Sequence, residues 1–154
     1  MPDEADSKYA AWKAALKRQF DRLDDGAVLI GDSMGGTILI LTLADEPPTL
    51  TSAGIFLIAA PFVGDGGWHG DDIKPLPDLG ARPFKETPIY LCHGTKDETV
   101  PFGHVDLYAQ TIPQAVVRRL SGRDHQLNND ISEVAADIQR LRAVHLPSGR
   151  PVPQ

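Results

Sequence analysis

Residues 31–35 of the chain carry a motif that suits nucleophilic catalysis. They read Gly-Asp-Ser-Met-Gly, a match to the pattern G-x-S-x-G with Ser33 at its centre. In that pattern the serine occupies a sharp, strained turn between a strand and a helix, and its hydroxyl projects into a cleft. The motif has glycines, Gly31 and Gly35, two residues on either side of the serine, because we expect side chains at these positions to collide in such a turn. A serine hydroxyl is a weak nucleophile, so the motif predicts a base elsewhere in the chain.

An acid and a histidine follow the serine in the order that this pattern requires. Asp97 lies within residues 93–101, which read His-Gly-Thr-Lys-Asp-Glu-Thr-Val-Pro, and His125 comes later. A chain order of Ser, Asp, His accompanies G-x-S-x-G. We therefore predict a triad in which Asp97 orients the imidazole, and His125 takes the serine proton and delivers it to the leaving group. The amide N–H of Met34, at the start of the expected helix, is predicted to face the oxyanion of the tetrahedral intermediate.

Three further polar residues near these segments have competing interpretations. Glu98 and Asp124 are sequence neighbours of Asp97 and His125, so each is a rival acid. Asp97 is preferred because it fills the acid position of the motif. His93, at the end of an expected strand, is either an alternative base or a structural histidine.

Residues 61–87 are rich in proline and glycine, and we predict a loop or a small cap there. Within it, Trp68 and His69 either line the acyl or alcohol pocket or pack a lid. Asp71 and Asp72 lie close to His69, but two acids and one histidine in a glycine-rich loop are weak evidence for a metal site. We therefore predict no metal site.

Four short runs read as strands, and the first three lack polar alternation, which suits a sheet covered on both faces. They span residues 27–30, 55–59, 89–92 and 116–120. Helical patterns cover residues 9–23, 37–43, 101–112 and 131–141, the last with a capping-box-like start at Asp130 and Glu133. This alternation predicts an α/β fold, with a mostly parallel sheet of about four strands flanked by helices. Ligands of such sheets bind beyond the carboxyl ends of the strands, where the triad candidates lie.

The composition is that of an ordinary globular chain. Its 154 residues predict a single domain over residues 1–145, followed by a loose tail at 146–154. A net charge of -6 excludes a global attraction to nucleic acid or anionic membrane. The single cysteine, Cys92, excludes an intrachain disulfide and suits a reducing cytoplasm. No apolar run approaches the roughly 18 residues of a membrane span, and the acidic start does not resemble a signal peptide.

With these residues identified, the chain resembles the α/β-hydrolase superfamily and, within it, the small serine hydrolases of the RBBP9/YdeN type. The likeness rests on Met-Pro-Asp before a helix containing Trp12, on the motif at 31–35, on the H-G-x-x-D-x-x-V-P block at 93–101, and on Gly122 ahead of His125. The resemblance implies hydrolysis of an ester, thioester or amide through an acyl-serine, without a cofactor. We predict a carboxylesterase acting on a small ester. The alternatives are a non-catalytic remnant that binds a ligand or a protein, and acyl transfer to an acceptor other than water.

The resemblance also implies elements that precede the start of this sequence. Superfamily members begin with a strand and a glycine-rich oxyanion loop, and a second strand then leads into a segment like residues 1–3. Without them, residues 27–30 would form a bare apolar edge, which natural proteins usually avoid. Either Met1 is an internal methionine of a longer protein, which we favour, or the chain covers this edge by self-association. In both cases the source of the second oxyanion donor is open.

Overall fold

Four short strands form one parallel sheet in the order of the sequence. The computed structural model describes residues 8–82, 84 and 86–145, with only the backbone of the last residue. The strands are β1 (Val28–Asp32), β2 (Gly54–Ile58), β3 (Ile89–Gly94) and β4 (Val116–Leu120). Each pairs in parallel with the next, which gives the order β1-β2-β3-β4. The predicted α/β fold with a parallel sheet is confirmed, and the carboxyl ends of all four strands meet at one edge.

Four helices alternate with these strands: α1 (Tyr9–Phe20), α2 (Met34–Asp45), α3 (Gly103–Thr111) and α4 (Ser132–His145). Residues 37–43 are rich in β-branched side chains, yet they lie within α2, as predicted. Every residue of α2 from Gly36 to Ala44 is buried. Packing on all sides of this helix therefore outweighs the local preference for a strand.

The first helix is shorter than its apolar pattern predicts. It ends at Phe20, and Leu23 lies beyond it with 42% of its surface exposed. The Leu23 N–H donates to the Phe20 carbonyl at 3.1 Å, a bond across three residues that tightens and closes the last turn.

The last helix also begins later than predicted, at Ser132. Ile131 precedes it and is 59% exposed, so it is not part of the buried stripe. The Asp130 carboxylate accepts the Ser132 N–H at 3.0 Å. Glu133 does not close a capping box, because its carboxylate accepts instead from the Arg123 guanidinium at 3.0 Å.

The core lies on both faces of the sheet. From β2, Ile55 and Leu57 pack with α1, α2 and α3, while Phe56 and Ile58 pack with the other face, which α4 covers. All five residues of β2 are buried, which explains the unbroken apolar run that predicted it. Cys92 is buried in β3, as expected of a small apolar residue.

The segment predicted as a loop or cap at 61–87 is irregular wherever the structure describes it, apart from a 3₁₀ turn at Leu79–Ala81 and an isolated bridge between Val63 and Trp68. It is attached to the domain by buried side chains, among them Ile73, Leu79 and Phe84. In addition, the Asp72 carboxylate accepts the Tyr9 N–H of α1 at 2.9 Å. The single-domain division stays a prediction, and the loose tail predicted at 146–154 lies outside the described residues.

Within the described part of the chain, β1 pairs only with β2, so its other edge is free. On this strand Ile30 is 52% exposed. Among the described helices, none is long and apolar enough to cross a membrane.

Candidate active site

Ser33 occupies the sharp turn between β1 and α2. Its backbone torsions are φ 49° and ψ −129°, and its N–H donates to the Ile58 carbonyl at the end of β2 at 2.8 Å. A positive φ is uncommon for a residue with a side chain and marks local strain. The neighbouring strand therefore anchors a conformation that the chain would not adopt alone, as expected of a nucleophile turn.

Two glycines make this turn possible: Gly31, which the motif predicts, and Gly36, which it does not. A Cβ on Gly31 would lie 2.5 Å from the Gly36 Cα, and a Cβ on Gly36 would lie 2.8 Å from the Gly31 carbonyl oxygen. A Cβ on Gly35 would meet only the Trp12 ring, at 3.9 Å. The steric expectation for Gly35 is therefore wrong. The close approach joins β1 to the inner side of the first turn of α2, where Gly36 lies, whereas Gly35 faces α1.

Alanine substitutions at these adjacent glycines should consequently have opposite effects. Gly36→Ala places a methyl group against backbone, and we expect it to lower the free energy of unfolding by about 1–3 kcal/mol. Gly35→Ala should be neutral or raise it by up to about 1 kcal/mol, because alanine favours the helical backbone. Urea unfolding of the two variants measures both values. A larger loss for Gly35→Ala than for Gly36→Ala would contradict this account of the turn.

His125 and Asp97 lie beside Ser33 at the same edge of the sheet, in the segments that follow β4 and β3. The His125 Nε2 is 3.1 Å from the Ser33 Oγ, although the two residues are 92 positions apart. The His125 Nδ1 is 2.8 Å from the Asp97 Oδ2. These are hydrogen-bond distances, so the structure brings together the three residues predicted as a triad. The arrangement can relay a proton from the hydroxyl to the imidazole while the carboxylate holds the ring.

Asp97 is held as a carboxylate by donors on both of its oxygens. Its side chain is fully buried, while Oδ1 accepts the N–H groups of Thr99 and Val100 at 2.9 and 2.8 Å. Burial alone would raise the pKa of Asp97. The hydrogen bond from His125 and the two backbone bonds outweigh that effect and lower the pKa below its ordinary value. The two backbone donors were not predicted, although the fixed spacing from the acid to Val-Pro in the motif was a signal for them.

The two rival acids lie in different surroundings. The Asp124 Oδ1 accepts the N–H groups of Gln126 and Asn128 at 3.0 and 2.7 Å, which folds the loop that carries His125. Glu98 is exposed to solvent. The third alternative, His93, is buried with its Nε2 3.0 Å from the Val100 carbonyl oxygen, so that nitrogen is already engaged.

The amide of Met34 begins α2, where the first N–H groups of a helix have no partner within the helix and the dipole is positive. That position suits the predicted oxyanion contact. Asp32, on the other side of the serine, reaches solvent, but partial desolvation raises the pKa of its carboxyl despite the opposing effect of nearby His125.

Beside His125 lies a cleft of about 540 Å³ with mostly polar walls. It is lined by Lys96, Glu98, Thr99, Gly122, Asp124, His125, Gln126 and Asn128. A second cavity of about 410 Å³, lined largely by apolar side chains, lies between α2, α3 and residues 62–79. Thr37, one helical turn after Ser33 in α2, is one of the residues that line this cavity.

The two predicted pocket residues, Trp68 and His69, line neither of these cavities. Trp68 packs edge-to-face on the ring of His104, with centroids 5.6 Å apart. The His104 Nδ1 accepts the Phe62 N–H at 2.8 Å, and burial lowers the pKa of His104. These contacts fit the alternative in which Trp68 packs the loop. Among the described residues, no group of His, Cys, Asp and Glu is arranged to hold a metal ion.

A parallel sheet covered by helices, with a serine turn after β1 and polar residues after β3 and β4, defines the α/β-hydrolase fold. Residues 12–133 match the model of the Esterase family, described as "Putative esterase". The chain therefore belongs to this family. A search of curated proteins found no match.

Solved structures of hydrolases share the fold. A variant of SOBER1 from Arabidopsis thaliana aligns with a TM-score of 0.66 and 16% identity, over 89% of this chain and 66% of that one. A YdeN-like hydrolase from Pectobacterium atrosepticum aligns at 0.62 with 18% identity, over 89% and 69%. The esterase RhEst1 from Rhodococcus sp. ECU1013 aligns at 0.61 with 20% identity, over 86% and 73%.

The family match and these neighbours support a hydrolase or esterase function, and they confirm membership of the α/β-hydrolase superfamily. The neighbours are longer proteins. The chain spans between 61% and 66% of the first solved structures that it matches.

Proposed function

We propose that the protein is a serine hydrolase that cleaves a small carboxylic ester through an acyl-serine intermediate. The observation that carries the proposal is the continuous chain of hydrogen-bond distances from Ser33 through His125 to Asp97, 3.1 and 2.8 Å. The strained backbone of Ser33 gives independent support, because such strain clusters at functional sites.

In the proposed reaction, the Ser33 Oγ attacks the ester carbonyl carbon while the His125 Nε2 takes the hydroxyl proton. The carbonyl oxygen becomes an oxyanion, which the Met34 N–H stabilises. Collapse of this intermediate breaks the bond to the alcohol, and the alcohol leaves with the proton from His125. A water molecule then gives a proton to the same nitrogen and attacks the acyl-serine, which releases the carboxylic acid and restores the hydroxyl. Asp97 stabilises the imidazolium in both steps.

The small size of the ester carries over the expectation from the sequence, because Ser33 lines neither of the two cavities described above. Thioesters and amides share the chemistry, as does transfer of the acyl group to an acceptor other than water.

Fluorophosphonate labelling tests this proposal directly, because the reagent forms a covalent adduct only with an activated serine. We expect intact-mass measurement to show one adduct on the chain and none on Ser33→Ala or His125→Ala. Absence of an adduct on a chain shown to be folded by circular dichroism would reject the proposal. It would favour instead a non-catalytic remnant that binds a ligand or protein.

We further propose, as the alternative to a longer protein whose own strands cover it, that the free edge of β1 mediates self-association. Support comes from the apolar strand itself and from Ile30, which is 52% exposed on it. Unpaired strand edges with apolar side chains are templates for pairing with another chain.

We also propose a reducing, cytoplasmic setting for the protein. The support is that the chain has a single cysteine, Cys92, which is buried and forms no disulfide, as is usual for proteins of reducing compartments.

A lysine at the centre of the β1 edge should block self-association. We expect sedimentation velocity to show a dimer for the wild-type chain and a monomer for Ile30→Lys, because a charged side chain opposes edge pairing. Val144→Lys is the matched control, since Val144 is 80% exposed on α4, on another part of the molecule. A wild-type chain that stays monomeric at all concentrations would reject this proposal.

A further inference from the structure

His93 lies against the same carboxylate oxygen that accepts from His125. Its Nε2 is 3.2 Å from the Asp97 Oδ2 and 3.0 Å from the Val100 carbonyl oxygen. The side chain of His93 is only 2% exposed, and its ring packs edge-to-face on Phe102, with centroids 5.8 Å apart. Two imidazoles therefore meet at one buried oxygen, and only one of them reaches Ser33.

The partners of His93 determine where its proton lies. A backbone carbonyl only accepts hydrogen bonds, so the short contact to Val100 requires a hydrogen on the His93 Nε2. The Asp97 Oδ2 lies 3.2 Å from the same nitrogen, a longer contact than the hydrogen bond to the Val100 carbonyl. His93 is thus a donor at Nε2 and has no free lone pair on that nitrogen, which excludes it as a base there.

A buried carboxylate needs such donors. The Asp97 side chain has no exposed surface, and an uncompensated charge in that position would be strongly unfavourable. Thr99 and Val100 satisfy Oδ1, which leaves Oδ2 to be oriented by its own contacts. One of these, His125, changes its protonation during the proposed reaction, whereas His93 is fixed by the Val100 carbonyl.

We propose that His93 is a positioning residue: its Nε2–H binds the Val100 carbonyl and so fixes the turn from Asp97 to Val100, whose N–H groups hold Asp97 in the orientation from which its Oδ2 binds the His125 Nδ1. The inference rests on the proposed function of the triad. It also explains why a histidine, rather than an apolar residue, occupies this buried position at the end of β3. Two other titratable groups face this cluster, Asp32 from β1 and His104 from α3.

The wild-type chain, His93→Gln and His93→Phe together test the role of the hydrogen on the His93 Nε2. His93→Gln can keep an N–H donor near the position of Nε2, whereas His93→Phe keeps the ring volume and the packing on Phe102 but removes the donor. The readout is the imidazole N–H proton of His125 in nuclear magnetic resonance spectra of histidine-labelled chain, assigned by its absence in His125→Ala. It reports the bond to Asp97 and requires no turnover.

We expect the His125 proton resonance to move or vanish in His93→Phe and to remain near its wild-type position in His93→Gln. The rate of fluorophosphonate labelling should fall on the order of 10- to 100-fold in His93→Phe, the loss expected when the buried Val100 carbonyl is left without its donor. His93→Gln should recover most of that rate. If His93→Phe does not fold, His93→Asn replaces it, because the shorter amide cannot reach the position of Nε2.

An unchanged resonance in the variant without the donor would overturn the inference, and so would equal changes in the Gln and Phe variants, since packing alone would then explain them. Failure of the proposed function looks different. In that case the wild-type chain is not labelled at all, while the resonance still shows whether His93 orients the Asp97–His125 pair.

Discussion

Alanine at Ser33 or at His125 is expected to lower kcat for p-nitrophenyl acetate by on the order of 10⁶-fold, and the double variant should be no worse than either single variant. The two residues act on one proton: the Ser33 Oγ gives it up and the His125 Nε2, 3.1 Å away, receives it. Without the base the hydroxyl is a weak nucleophile, and without the hydroxyl the base has no partner. Their effects are therefore not additive.

Steady-state kinetics on the wild-type chain, the two single variants and the double variant, with urea unfolding of each, tests this expectation. Ser121→Ala is the matched control, because Ser121 is an exposed serine at the same edge of the sheet, directly after β4. Losses that multiply in the double variant would show that the two residues act independently. Residual turnover above the uncatalysed rate is expected from binding and the Met34 N–H alone.

The second large effect is expected at Asp97, where Asp97→Asn should lower kcat by on the order of 10⁴-fold. The backbone N–H groups of Thr99 and Val100 will bind the amide oxygen in place of Oδ1, so the amide NH₂ turns toward His125. The His125 Nδ1 must then accept, which leaves the ring proton on Nε2, facing Ser33. A base that already carries a proton on that nitrogen cannot take another from the serine.

This substitution should change the dependence of stability on pH as well as the rate. The pKa of Asp97 is lowered in the folded chain, so its contribution to stability is present above the ordinary aspartate pKa of about 4 and is lost as pH falls below it. The difference in unfolding free energy between wild type and Asp97→Asn should accordingly narrow below about pH 4. Asp106→Asn, at a partly exposed ion pair with Arg119, is the matched control for the chemical change. A loss of kcat below tenfold would contradict the assignment of Asp97 as the orienting acid.

The sequence predicted the fold because strands and helices that are buried have recognisable patterns of apolar residues. The run 55–59 has no polar alternation, and the strand at Gly54–Ile58 is covered on both faces. The weaker predictions were at the ends of elements. Leu23 and Ile131 continue an apolar periodicity, yet both lie outside their helices, because hydrogen bonds at Phe20 and Asp130 decide where the helices stop and start.

The candidate site, too, was predictable in part from the sequence. The types and order of Ser33, Asp97 and His125 were readable, because the carboxyl ends of parallel strands must meet at one edge. The spacing of glycines in the motif did not distinguish Gly35 from Gly36, since the clash that matters is between the backbone of α2 and that of β1.

By itself, then, the sequence determined that this chain forms a parallel α/β sheet and which residue types stand at its active edge, since periodicity and chain order are local properties. Only the tertiary structure decided which atoms meet there. Three contacts show this: His93 with Asp97, Asp124 with the backbone of the loop that carries His125, and Gly31 with Gly36. Each joins atoms whose positions depend on the packing of whole elements. Distances of about 3 Å between such groups are set by that packing, and no linear pattern records them.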